Sequence, residues 1–284
     1  IRAGLLKNGG KWTEAVKMEG EVHDVLLYNG KRFAAFGERS LACFGMDGSL
    51  LWQKEMQREA TVYPWWELSA PVPLSLRVVW YRGREALAAG CGDDSLKFFD
   101  FDGTLLESFY FYIAVPDRIE LLDVNGDGRK EIVAGGGRLA CRSNVQVLND
   151  RLEILHEFGS EGWTSHVTCL RCFSIGGCPA VAMGVNHRSN LKLFRFENGK
   201  DNCLINQAVA GAVTDAVYLS DAGVLVGCTA GKSVLAYGLD GRQRWVRYCR
   251  SGVVRLLERP EGVLAVAEDG ELTLFSAERR GSWW

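Results

Sequence analysis

The chain has 284 residues, of which 47% are hydrophobic and 24% charged, so it has enough apolar side chains to build a full core. Its formal net charge is −2 and no block of lysine and arginine stands out, so we expect no nucleic-acid partner. No apolar run approaches the ~18 residues that a membrane-spanning helix needs, so we expect no membrane span.

Nine cysteines are present, an odd number, and most lie in apolar runs such as those around Cys43, Cys91 and Cys228. This usage suits buried free thiols in a reducing compartment better than a disulfide framework. It slightly favours an intracellular location.

In chain order, one hairpin pattern returns several times. Residues 40–52 and 233–245 share a serine, an aromatic residue, a glycine, an Asp-Gly pair and a tryptophan at the same spacing. Residues 95–106 form a third copy, and weaker copies lie at 143–155, 191–205 and 271–284. Because Asp-Gly or Asn-Gly between two alternating runs favours a tight turn, each copy predicts two antiparallel strands.

A further strand pair precedes each copy and ends in small residues, as in Ala34–Gly37 and Leu225–Cys228. Together these make four-stranded units about 40–55 residues apart, the period of a propeller blade. The pattern resembles the repeats of quinoprotein-type and WD-repeat β-propellers. That resemblance implies an all-β fold, a single β-propeller of six four-stranded blades, with seven blades as the alternative.

The predicted blade boundaries follow from the repeats. An N-terminal strand at 11–18 has no predicted strands before it, and we expect it to close the last blade of a single domain, 1–284. The expected blades are 21–56, 75–112, 117–158, 165–207, 212–249 and 252–276 plus 11–18.

Acidic residues recur at alternate positions between two apolar runs, from Asp123 to Glu131. Side chains at positions 1, 3 and 5 of such a loop (Asp123, Asn125 and Asp127) can turn inward together, and Arg129 at position 7 would offer its backbone carbonyl. Oxygen donors of this kind suit Ca²⁺. Strand-like flanks and apolar residues after Glu131 argue against an EF-hand.

This stretch resembles the calcium loop of FG-GAP-type repeats, as in integrin heads. The resemblance implies a Ca²⁺ site made by Asp123, Asn125, Asp127, Arg129 and Glu131. The alternative is a polar hairpin turn that binds no metal. A calcium loop makes an extracellular location possible, so the compartment stays open.

One long link, Gln57–Leu74, interrupts the spacing and holds Tyr63, Trp65 and Trp66. Loops of this length often bind partners, and exposed aromatic residues stack on sugars or anchor protein interfaces. We predict that these three residues contact a protein or glycan partner on one propeller face. The alternative is that the tryptophans pack down as a lid.

Polar residues begin several of the predicted innermost strands: Asp24, Asp117, His166 and Asp215. Repeat symmetry would place them in a ring around the central channel, where they could perform acid–base chemistry. The alternative is that each one caps its own backbone turn.

Two functions are consistent with these patterns. The first is a non-enzymatic binding or scaffold module with a structural calcium loop. The second is a carbohydrate-active enzyme, a lyase or hydrolase, with His166, Asp24, Asp117 and Asp215 as its acid–base set at the channel mouth. The sequence leaves the oligomeric state open.

Overall fold

A computed structural model describes residues 2–7, 11–17, 22–28, 32–37, 40–45, 47–56, 72–111, 115–137, 144–159, 166–186 and 189–276. The described residues form 25 β-strands and no α-helix, so none of them builds a helix long and apolar enough to cross a membrane. The chain divides into two compact units.

The first unit comprises Ile1–Ile119, Ile132–Gly135 and Gln146–Leu155. It contains a two-stranded sheet, β1-β2, and two antiparallel four-stranded sheets, β3-β4-β5-β6 and β7-β8-β9-β10. The strands are β1 Arg2–Lys7, β2 Lys11–Lys17, β3 Val22–Tyr28, β4 Arg32–Gly37, β5 Ser40–Gly45, β6 Leu50–Glu55, β7 Pro73–Tyr81, β8 Arg84–Cys91, β9 Ser95–Phe99 and β10 Leu105–Tyr110.

A further four-stranded sheet, β11-β12-β13-β14, has residues in both units. Its strands are β11 Arg118–Leu122, β12 Glu131–Gly136, β13 Asn144–Leu148 and β14 Ile154–Gly159.

The second unit comprises Glu120–Glu131, Gly136–Val145 and His156–Trp284. It holds two four-stranded sheets, β15-β16-β17-β18 and β19-β20-β21-β22, and a three-stranded sheet, β23-β24-β25. Its strands are β15 Val167–Ile175, β16 Cys178–Val185, β17 Asn190–Glu197, β18 Lys200–Ala208, β19 Val213–Leu219, β20 Val224–Thr229, β21 Ser233–Gly238, β22 Gln243–Tyr248, β23 Val253–Arg259, β24 Gly262–Ala267 and β25 Leu272–Ser276.

Asp-Gly turns join the third and fourth strands of several sheets, as the repeat predicts. In the turn after β9, Asp102 accepts a hydrogen bond from the Thr104 amide at 2.8 Å, and this bond lowers the pKa of the Asp102 carboxyl. Gly103 has φ +86°, a left-handed conformation that suits glycine. A Cβ on Gly103 would also lie 2.8 Å from the Trp52 ring, so the position is closed to larger residues.

The small residues of the second strands allow close packing, as predicted. In β16, a Cβ added to Gly184 would lie 2.5 Å from the Cβ of Val213. In β20, a Cβ on Gly227 would lie 2.8 Å from a methyl group of Leu191. Larger side chains would therefore push neighbouring sheets of this unit apart.

The repeated tryptophan packs between sheets. Trp52 of β6 donates its indole N–H to the Phe101 carbonyl at 2.7 Å, and Trp245 of β22 lies with its ring centroid 6.3 Å from that of Phe275. Each indole therefore bridges from a fourth strand to the next sheet along the chain.

The last sheet differs from the others because its third strand is exposed. In β5, β9 and β21 nearly every residue is buried, whereas Leu272 of β25 is 62% exposed and Leu274 is 51% exposed. The sheet contains no fourth strand among the described residues.

The N-terminal end also differs from the prediction. Residues 11–17 form β2 as expected, but a strand precedes them: β1 pairs with β2 in antiparallel register, Leu6 opposite Trp12. The prediction missed β1 because Leu5-Leu6 is too short an apolar run to stand out. Closure of the last blade by residues 11–18 would join the two units and stays a prediction.

Candidate functional site

The loop between β11 and β12 wraps around the Asp123 carboxylate. The Gly126 amide donates to Asp123 Oδ1 at 2.7 Å and the Gly128 amide donates to Oδ2 at 2.9 Å. Both glycines have positive φ, +77° and +82°, as the predicted tight wrap requires. The first residue of the predicted calcium loop therefore organises the backbone around itself.

The next two alternate residues make the same kind of turn. Asn125 Oδ1 accepts from the Asp127 amide at 2.9 Å, and Asp127 Oδ1 accepts from the Arg129 amide at 2.7 Å. The Asn125 side-chain amide also donates to Asp127 Oδ2 at 3.3 Å and to Glu131 Oε1 at 3.1 Å. Four of the five predicted ligand residues are thus joined by hydrogen bonds, and the fifth is Asp123.

Glu131 closes the loop from the first position of β12. It is buried, 5% exposed, and its Oε2 accepts from the Val124 amide at 2.7 Å. Burial raises the pKa of the Glu131 carboxyl, and the negative charges of Asp127 and Asp123 raise it further. Glu131 is thus a buried carboxylate close to two more exposed ones, an environment that a cation would stabilise.

The carboxylates nevertheless turn toward the amides of the loop. Among the residues that the structure describes, no three His, Cys, Asp or Glu side chains stand in an arrangement that could hold a metal ion. The donor types suit Ca²⁺. Binding would require the Asn125 side chain to turn its amide oxygen toward the ion, on the side where its nitrogen now donates to Asp127 and Glu131.

Asp215, a predicted channel residue, is a structural anchor of the second unit. It lies in β19 and is 1% exposed. Its Oδ1 accepts from Arg171 Nε at 2.6 Å and from the Ala216 amide at 2.9 Å. Its Oδ2 accepts from the Leu256 amide of β23 at 2.9 Å, with Arg255 Nε at 3.5 Å. One carboxylate thus joins the first strands of three successive sheets.

Arg171 extends this connection to a fourth first strand. From β15 it reaches Asp215 with Nε and Glu120 of β11 with Nη1, the latter at 3.0 Å. Burial opposes the Arg171 charge, but the hydrogen bond and charge of Asp215 outweigh it, so the pKa of Arg171 is raised. The sequence analysis missed Arg171 and Glu120. The available signal was an arginine on one first strand with acids on two others.

The strand register corrects the predicted ring. The innermost strands share a β-bulge, between Val167 and Cys169 in β15 and between Val213 and Asp215 in β19. Cys169, and not His166, therefore matches Asp215. The polar residue before a strand was a misleading signal, because His166 lies before β15 whereas Asp215 lies inside β19 at the bulge.

The other predicted channel residues have separate surroundings. His166 precedes β15, where its amide donates to Asn186 Oδ1 at 2.6 Å and its Nδ1 lies 2.9 Å from the Gly137 carbonyl. Asp117 is buried just before β11, with Oδ2 3.6 Å from Arg118 Nη1. Asp24 lies in β3 at the same bulge position as Asp215, and its side chain lies outside the described residues.

The predicted aromatic contacts Tyr63, Trp65 and Trp66 lie outside the described residues, so their role stays a prediction.

A second buried ion pair, also missed, lies in the first unit. Lys97 of β9 has a side chain that is 3% exposed, with Nζ 3.3 Å from Asp93 Oδ2 and 3.4 Å from Ser108 Oγ. Ser95 donates its hydroxyl to the other oxygen of Asp93 at 2.5 Å. The charges are paired and hydrogen-bonded, as buried charges must be, so this cluster holds the sheet together.

Several solved structures resemble this chain. Sqt1 of Saccharomyces cerevisiae superposes with a TM-score of 0.70 and 17% identity, over 90% of this chain and 70% of that one. The Dos1 propeller gives 0.69 and 11%, over 97% and 71%. BBS1N, solved in complex with ARL6DN, gives 0.58 and 13%, over 86% and 73%.

No family model matches the sequence, and no curated protein matches it. Similarity at these identities establishes the fold alone. Two of the three similar structures, Sqt1 and Dos1, are propellers of the WD-repeat type. The chain is an all-β protein with the β-propeller fold, as the repeats predicted.

The Asp215 anchor predicts strong coupling between two side chains. Asp215→Ala should lower the free energy of unfolding by about 3–5 kcal/mol, because it removes the acceptor of Arg171 Nε and of the buried Leu256 amide. Arg171→Met should lower the free energy of unfolding by a comparable amount on its own. Added to Asp215→Ala, it should lower the free energy of unfolding little further. Urea unfolding of the four proteins in a double-mutant cycle measures this coupling.

Asp215→Asn, which keeps an acceptor oxygen, serves as a milder variant if Asp215→Ala does not fold. Losses that add to within about 0.5 kcal/mol would contradict the coupling.

Proposed function

We propose that this propeller is a non-enzymatic scaffold that presents one face, bearing Tyr63, Trp65 and Trp66, to a protein or glycan partner. The observation that carries the proposal is the state of Asp215, the most deeply buried of the described channel candidates. Its two oxygens accept three hydrogen bonds from strands that it joins. A carboxylate whose two oxygens are taken by these donors ties strands of the fold together.

Function is then expected at the surface of the chain. Propellers support many unrelated activities on one framework, and these depend on the sites that each propeller carries. BBS1N, a similar fold, was solved with a protein partner, ARL6DN. A protein partner is therefore the first expectation for this chain, and a glycan the second.

We also propose that the loop from Asp123 to Glu131 binds a structural Ca²⁺ ion. Asp123, Asn125, Asp127 and Glu131 would hold it with side-chain oxygens, and Arg129 with its backbone carbonyl. The ion would supply positive charge that relieves repulsion at the buried Glu131. The observation that favours this reading is the raised pKa of Glu131, caused by burial and then by its two carboxylate neighbours.

Calcium should therefore stabilise the folded chain. At a concentration about 100 times its Kd, an ion that binds only the native state adds about 2.7 kcal/mol. The melting midpoint should rise by about 5 °C over its value in EDTA. Asp127→Ala should abolish this rise. A thermal melt by circular dichroism in EDTA and in added Ca²⁺ checks it.

Asp102→Ala is the matched control, since Asp102 also caps a hairpin turn but has no cluster of acids around it. It should keep the full calcium response. Equal melting midpoints with and without Ca²⁺ in the parent protein would contradict calcium binding and show that the loop is only a hairpin turn.

The scaffold proposal makes a separate prediction about partners. The purified chain, immobilised and incubated with lysate from its own source, should retain a stoichiometric partner. The variant Trp65→Ala/Trp66→Ala should lose that partner, because it removes the aromatic anchors, while His166→Ala should retain it. Quantitative mass spectrometry of the eluates provides the measurement.

The carbohydrate-enzyme alternative predicts the reverse. Release of reducing ends from a polysaccharide panel, abolished by His166→Ala and unaffected by the tryptophan variant, would establish the enzyme and overturn the scaffold.

A further inference from the structure

The fourth strand of the fifth four-stranded sheet, β22, carries an unusual charge pattern. Four arginines lie between positions 242 and 250, and no acidic residue interrupts them: Arg242, Arg244, Arg247 and Arg250. All four are exposed. In a chain with a net charge of −2, this is a local concentration of positive charge that the sequence analysis did not anticipate.

The corresponding strands of the other four-stranded sheets are different. Each carries at least one acid: Glu55 in β6, Glu107 in β10, Glu157 in β14 and Asp201 in β18. The repeat therefore does not require a purely basic fourth strand. The charge of β22 is a property of this blade.

Little of this charge is neutralised inside the protein. Arg244 pairs with Asp240 at 3.0 Å, and the charge of Arg250 acts on Asp269, whose carboxyl pKa is lowered mainly by the Glu271 amide. Among the described residues, Arg242 and Arg247 form no ion pair within 4.0 Å, although the Arg242 amide and then its charge help to lower the pKa of Asp240. Arg247 instead lies with Cζ 5.8 Å from the Trp245 ring centroid and donates Nη1 to the Val246 carbonyl at 3.0 Å.

The backbone of β22 is also open on one side. It is the last strand of its sheet and pairs only with β21 among the described strands. The Cys249 amide donates inward to the Lys232 carbonyl at 2.8 Å. Because bonding alternates along an antiparallel pair, the amides of Val246 and Tyr248 point outward. Tyr248 is 73% exposed and stands at this edge.

We propose that the outer edge of β22 binds an acidic extended segment of a partner protein by adding it as a fifth strand. The open amides and carbonyls of Val246 and Tyr248 would pair with its backbone, and the Arg247–Val246 hydrogen bond would open to allow this. Arg247 extends from one face of the strand and Arg250 lies just past its end, so both could meet carboxylates of the segment. The ring of Tyr248 would cover an apolar side chain.

The open backbone edge favours a polypeptide over a nucleic acid, because only a polypeptide can continue the hydrogen-bond ladder. The basic charge argues against a second copy of this chain, since two β22 strands would repel each other. The inference rests on the proposed scaffold function and supplies the chemistry of one partner.

A designed peptide tests the inference on the intact chain. The probe is a fluorescein-labelled peptide of about ten residues in which glutamate alternates with valine, with an oligothymidine of equal charge as the nucleic-acid probe. Fluorescence anisotropy at about 50 mM NaCl should show saturable peptide binding that weakens steeply with added salt.

Two variants separate charge from backbone pairing. Arg247→Glu/Arg250→Glu should raise the peptide Kd at least about tenfold. Tyr248→Pro removes an outward amide without breaking the ladder to β21, and should raise it about fivefold or more. Tyr248→Ser, which keeps the amide, should stay closer to the parent than the proline variant does.

Arg151→Glu/Arg259→Glu is the charge control, because it changes net charge equally at exposed arginines elsewhere, and it should bind like the parent. Thermal melts confirm that each variant is folded. No saturable peptide binding at about 1 mM would overturn the inference, as would oligothymidine binding tighter than the peptide and indifferent to Tyr248→Pro. Because the peptide assay does not involve Trp65 or Trp66, its failure leaves the partner-capture result intact, and the reverse also holds.

Discussion

The hydrogen bonds that the buried Asp215 carboxylate accepts are the interactions on which the second unit depends most. A propeller blade makes its strong hydrogen bonds within its own sheet, so successive sheets need other means of holding together. Packing of apolar side chains supplies most of that cohesion. Asp215 adds direction to it, since its two oxygens fix Arg171 of β15 and the Leu256 amide of β23 at hydrogen-bond distance. Arg171 then extends the connection to Glu120 of β11.

This arrangement has a functional consequence. A buried ion pair contributes little net stability over an apolar contact, but removing one partner is costly. Asp215 resembles a catalytic acid in the sequence, while in the folded chain it is paired with Arg171. The groups free to meet other molecules are found on fourth strands and loops, where neighbours leave charge unpaired, as at Arg247.

Local patterns made much of the fold predictable. An Asp-Gly pair such as Asp102-Gly103 gives a tight turn when it lies between alternating runs. The small residues of the preceding strand let neighbouring sheets pack closely. Both features recur along the chain, so the repeat could be predicted directly from the sequence. The loop at Asp123 was predictable for the same reason, because its hydrogen bonds join residues two to seven positions apart.

Contacts between distant residues were not predictable in this way. Arg171 and Asp215 are 44 positions apart and lie on separate strands, and no local pattern in the sequence reveals that they pair. The β22 arginines were missed because other residues separate them in the sequence. Only the folded strand places Arg247 between the outward amides of its open edge.

The claim that Asp215 holds strands together is tested most directly by hydrogen exchange of β23. In the parent protein the Leu256 amide should exchange as slowly as the most protected amides, because it is bonded to a buried carboxylate. In Asp215→Asn it should exchange faster, while amides of β9 in the first unit stay unchanged. Rapid exchange of Leu256 in the parent, or an unchanged rate in the variant, would contradict the account.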